Sequence, residues 1–133
     1  MGWNVILVSF DYFSNIYTDY NPVLYFPVPL FIGYVLVSVS FNYLSRKLSY
    51  RIMVFSGILT NNVMLLCLLF LTVISSDNQA IGFYLSLVCC FIIGISNNFA
   101  QLSFFAMINY FGESTVSKFT IGTAGSGLFL TIL

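Results

Sequence analysis

The sequence predicts an all-α, polytopic membrane helix bundle. Three observations carry this. Only 6% of the 133 residues are charged, 59% are hydrophobic, and the mean hydropathy is +0.98. A soluble domain averages about 25% charged residues, too many for this chain to match with any water-facing surface. The apolar residues fall in long runs, and short polar segments such as "SRKLSYR" at 45–51 and "SSDNQ" at 75–79 separate them. A span needs about 20 such residues. The whole chain, 1–133, therefore reads as a single transmembrane bundle.

The first helix is expected at about 2–17, beginning "GWNVILVSFDYF". Trp3, Leu7 and Asp11 recur at i, i+4 and i+8 and share one face, with Asn4 beside it. One reading makes Trp3 an interfacial anchor and lets Asp11 end the span near water. The polar stretch "SNIYTDYNP" follows. The second helix is expected at about 23–45, with Pro27 and Pro29 in its early turns. Those prolines remove backbone donors and bend the helix. Membrane helices tolerate this where neighbours or water satisfy the freed carbonyls. The third helix is expected at about 52–75. The fourth, at about 80–111, is long enough to tilt or to run past the hydrocarbon. A fifth is expected at about 116–133. The first and last apolar runs are short for a span, so both end helices are expected to be incomplete, and the chain to be a fragment, a truncated gene product or a reduced relative of something larger.

Arg46, Lys47 and Arg51 lie in the loop after the second helix, and Lys118 lies in the loop after the fourth. Both loops fall on one side. Asp19 and Asp77 lie in the loops of the other. Positive charge favours the cytoplasm, so the N-terminus and the 45–51 loop are expected there.

Polar groups at membrane depth are costly and tend to face a bundle interior or a water-filled path. Asn97 and Gln101 stand at i, i+4 in "GISNNFAQLSFFAMINYF", with Gly94 and Phe104 a turn to either side. They either hydrogen-bond between helices or wall a polar substrate path. In "IGTAGSGL", Gly122 with Ser126 and Thr123 with Gly127 form small-x-x-x-small pairs. With Gly94, Gly122 and Gly127 are expected to let helices touch closely. No lysine follows this glycine-rich run, which excludes a phosphate-cradling loop.

Nothing in the sequence points to catalysis. There is no His. Cys67, Cys89 and Cys90 sit in apolar runs without a C-x-x-C spacing and read as small apolar fillers. No carboxylates lie close enough in sequence to propose an acid–base pair. No enzyme activity, metal or cofactor is expected, and the balanced charge gives no reason to expect a nucleic acid polymer as partner.

Taken together, these stretches resemble the equilibrative nucleoside transporter family. Trp3, Asn4, Asp11, Tyr12 and Phe13 fit the family's first helix, with Gly2 where it has proline. "NPVLYFPVPLF" is similar to its second helix and "YRIMVFSG" to the start of its third. "NNFAQLSFFAMINYFGESTVSKFTIGTAGSG" matches without gaps the family's Gln-Ser-Phe stretch, short loop and glycine-rich helix start. Two departures stand out. The glycine-rich start reads Ile121-Gly122-Thr123-Ala124 rather than Ser-Gly-Gln-Gly, and Asn97 replaces a glycine. The resemblance spans the whole chain but only the first four and a half of the family's eleven helices. It implies the N-terminal part of a major-facilitator-like fold and facilitative transport of nucleosides or nucleobases. It implies a substrate path lined by Trp3, Leu7, Pro29 and Gln101. With Gly33 and Asn97 these make the expected substrate-binding set, Trp3 stacking on the base and Gln101 hydrogen-bonding it. A more distant resemblance is to battenin-like lysosomal membrane proteins. A transporter-derived structural subunit, with other membrane subunits as partners, is the remaining reading.

Overall fold

The computed structural model describes residues 6, 9–74, 78–111 and 113–132. Among them the chain is helical, with no strand. The helices are α1 (Phe10–Ile16), α2 (Pro22–Tyr25), α3 (Pro27–Lys47), α4 (Tyr50–Ile74), α5 (Gln79–Ile108) and α6 (Glu113–Ile132). Three stretches, Pro22–Lys47, Tyr50–Val73 and Gln79–Ile108, are long and apolar enough to cross a membrane. The chain is that of a membrane protein.

The element boundaries follow from local chemistry. α2 and α3 form one apolar stretch that breaks at Phe26, because Pro27 and Pro29 offer no N–H to the carbonyls of Val23 and Tyr25. α3 continues past the expected end at 45. Arg46 and Lys47 occupy its last turn, where cations complement the helix dipole, and Leu48 then turns extended (φ −118°, ψ 143°). Only Leu48 and Ser49 separate α3 from α4. α5 stops three residues short of the expected end. The N–H groups of Tyr110 and Phe111 donate to the carbonyls of Met107 and Ile108 at 3.2 and 2.8 Å, a tight i to i+3 closure.

α5 is the centre of the bundle. Its membrane stretch is 44% buried, against 22% for the α2–α3 stretch and 11% for α4. Both α3 and α4 pack along α5. Glycines make the approach close. A Cβ at Gly33 would stand 2.7 Å from the Phe91 carbonyl oxygen of α5, and one at Gly57 2.8 Å from that of Ser96. One at Gly94 would run into the Leu30 carbonyl of α3. Gly94 therefore sits at a helix crossing. Gly122 is exposed, and a Cβ there would meet nothing within 4 Å among the described residues. Gly127 belongs to α6, and its surroundings lie outside the described residues.

The core lies toward the end of the bundle where α1 and α2 fold over α5. Phe13, Tyr17, Phe26 and Phe83 are almost fully buried there. Phe83 stacks on Tyr20 at 4.5 Å and on Phe26 at 5.8 Å, and meets Tyr17 edge-on at 5.5 Å. Two hydroxyl pairs pin the same end, Tyr12 Oη with Thr72 Oγ1 at 3.1 Å and Tyr17 Oη with Ser86 Oγ at 3.0 Å. Cys89 and Cys90 are buried in this packing, Cys67 is exposed on α4, and all three are free thiols.

Candidate functional site

The 3.6-residue period of α5 puts Asn97, Gln101 and Phe104 on one face. That face lines a cleft of about 210 Å³, closed by Val54 and Ile58 of α4, Ala100 of α5 and Phe119 of α6. Phe104 stacks on Phe119 at 4.7 Å with the planes 29° apart, and Phe105 meets Phe119 edge-on at 5.1 Å. These ring contacts fix the aromatic end of the cleft. The Gln101 amide is half-buried and has no hydrogen-bond partner among the described residues.

The neighbouring amides are differently placed. Asn98 is buried, 5% exposed. Its Nδ2 donates to the Tyr34 carbonyl at 2.7 Å and to Ser38 Oγ at 2.9 Å, which uses both N–H groups. Ser38 in turn donates to the same carbonyl at 2.9 Å. Asn97 Nδ2 donates to Tyr34 Oη. Asn97 thus reaches α3 on one side and lines the cleft on the other, while Asn98 is wholly committed to the α3–α5 interface.

Of the expected substrate-binding residues, the structure brings Asn97 and Gln101 into one cleft. Gly33 lies instead at the α3–α5 crossing, its face taken by the Phe91 and Ile95 backbone. Pro29 is half-buried in the first turn of α3 and is not part of the cleft lining. Trp3 and Leu7, and with them Asn4, lie outside the described residues. Sequence reasoning passed over Tyr34 and Ser38. Their i, i+4 spacing is the same signal that drew attention to Asn97 and Gln101.

None of the side chains lining the cleft titrates near neutral pH, so it offers contact and hydrogen bonding rather than proton transfer. Its volume falls below the roughly 300–1,000 Å³ of small-molecule pockets. Its lining is apolar apart from the Asn97 and Gln101 amides. Among the described residues no group of three or more His, Cys, Asp or Glu could hold a metal ion. No known protein family, curated protein or solved structure matches the chain.

Proposed function

We propose that the chain is the N-terminal part of a major-facilitator-like carrier that moves nucleosides or nucleobases down their gradient. The supporting observation is the Gln101 amide. It stands at membrane depth, without a protein partner among the described residues, beside Asn97 and an aromatic end formed by Phe104 and Phe119. An unpaired amide in a span is costly, and water or a polar ligand relieves that cost. A nucleobase has the matching form, apolar faces and a rim of donors and acceptors. Carriers of this architecture hold substrate near the midplane between two halves, so the cleft is one wall of the site. The resemblance to equilibrative nucleoside transporters supports the same substrate class.

The test is uptake of labelled uridine and adenosine by cells lacking endogenous nucleoside uptake, expressing the longest natural form of the protein. Losing one hydrogen bond costs about 0.5–1.5 kcal/mol, which is roughly a two- to tenfold loss of apparent affinity. Gln101→Ala should show that loss or an altered substrate preference. Full uptake with unchanged preference removes Gln101 from the site.

A specific observation favours a second reading, a structural subunit of a larger membrane assembly. α6 exposes Ile121, Gly122 and Ala124, and a Cβ added at Gly122 would meet nothing within 4 Å among the described residues. Recovery of the native protein in a stable complex, with no uptake above background, would select that reading.

A further inference from the structure

We infer that the chain carries a binding site for an anionic phospholipid at the end of the bundle where α3 meets α4. α3 and α4 both pack along α5 yet scarcely touch each other among the described residues. The space between them is a groove of about 310 Å³, with Leu44 on one bank, Ser56 and Thr60 on the other, and Ile92, Ile95 and Phe99 of α5 along it. Gly57, where α4 closes on α5, and Ser96 form its floor. Two of its three hydroxyls are turned back onto their own helices, leaving Thr60 Oγ1 for a ligand. Ser56 Oγ donates to the Met53 carbonyl at 3.2 Å and Ser96 Oγ to the Ile93 carbonyl at 3.1 Å, each back onto its own helix. An apolar groove between membrane helices fits an acyl chain.

Charge complementarity says which lipid. At a rise of about 1.5 Å per residue, Leu44 lies about 3–4.5 Å along the axis from Arg46 and Lys47, and Ser56 about 7.5 Å from Arg51. All three cations are exposed. Arg51 also borders a second cleft at this end, with Ser49, Tyr50, Met107, Tyr110 and Phe111. Tyrosines suit the headgroup level. Lys47 Nζ sits 4.5 Å from the centre of the Tyr43 ring. Basic pockets between helices at one face of the membrane take anionic headgroups, and a guanidinium pairs with a phosphate through two parallel bonds. Four basic residues, Arg46, Lys47, Arg51 and Lys118, lie at this end by sequence, against Glu113 alone. A net anion is favoured over a zwitterion. The site shares no lining residue with the Asn97–Gln101 cleft and does not depend on its function.

Native mass spectrometry of the full chain in a mild detergent tests this with three probes: dioleoyl phosphatidylglycerol, dioleoyl phosphatidylcholine and glycerol phosphate. Each Lys or Arg near an anionic surface contributes about a fivefold factor. The phosphatidylglycerol complex should be retained, and replacing Arg46, Lys47 and Arg51 together by Gln should weaken it on the order of 100-fold. That variant touches exposed side chains only, so it does not depend on repacking. Ser56→Phe keeps every charge but fills the groove, and should also release the lipid. Equal retention of phosphatidylcholine overturns the proposal. So does loss on charge removal with no effect of Ser56→Phe, which marks surface attraction or a groove covered by another protein segment. Displacement of the lipid by glycerol phosphate alone shows a free-anion site and likewise overturns it.

Discussion

Alanine at Gly94 tests the α3–α5 crossing at its tightest point. The new Cβ would stand 3.0 Å from the Leu30 Cα and carbonyl carbon, and nearer still to the carbonyl oxygen. Favourable carbon–carbon contact needs about 3.5–4.0 Å, so the helices must part by on the order of 0.5–1 Å, a gap that forfeits a quarter to a half of each contact's attraction. The obstacle is backbone and cannot rotate aside. Overpacking of this kind costs about 1–3 kcal/mol. Alanine returns about 0.8–1.0 kcal/mol of helix propensity. Parting α3 from α5 also stretches the Asn98–Tyr34 and Asn98–Ser38 bonds one turn along the same interface. A net loss of about 1–2 kcal/mol is expected. The assay is unfolding in mixed micelles with rising denaturing detergent, followed by helical circular dichroism. Gly122→Ala is the control. Nothing among the described residues lies within 4 Å of its added methyl, so it should be neutral or gain up to about 1 kcal/mol. A Gly94→Ala protein as stable as the Gly122→Ala protein refutes the crossing.

Asn98→Ala should cost about 1–3 kcal/mol, since interhelical bonds in membranes average about 0.6 and reach about 1.7 kcal/mol each. A double-mutant cycle with Ser38→Ala should show coupling, and additive losses would contradict the shared network. Cysteine at Ser49 should label with an impermeant maleimide only after the cytoplasmic face is opened; labelling of intact cells would invert the topology read from Arg46, Lys47 and Arg51. In detergent, a small thiol reagent should modify exposed Cys67 before unfolding, and Cys89 (7% exposed) and Cys90 (0% exposed) only with it. Prompt reaction of Cys90 would mean that α5 is not the buried helix.

The spans were legible because apolar length and the near-absence of charge mark them. Their ends were less so. Arg46 and Lys47 look like loop residues by charge, yet cations suit a helix C-terminus, and α3 runs through them. Glycine was harder. A glycine between apolar neighbours says that something comes close, not what. At Gly33 the visitor is the backbone of α5, and at Gly94 it is the backbone of α3. At Gly122 it is nothing among the described residues. Which residues meet across a crossing depends on its angle and depth, which periodicity on one helix does not contain. Tyr34 was passed over for that reason, since its partners lie more than sixty positions away.

The amides of α5 show how far one helix's sequence can be taken. Asn97, Asn98 and Gln101 carry the same functional group and the same cost at membrane depth. Position alone separates them. Asn98 spends both N–H groups on α3, Asn97 spends one on Tyr34 Oη, and Gln101 spends none within the described residues. Stability and binding should therefore divide along the helix. Asn98→Ala should weaken folding, while Gln101→Ala should leave stability within about 0.5 kcal/mol of the parent and fall on substrate alone. Asn97, bonded to α3 and facing the cleft, should show both effects, and its Tyr34→Phe partner should reproduce the folding loss without removing any group from the cleft.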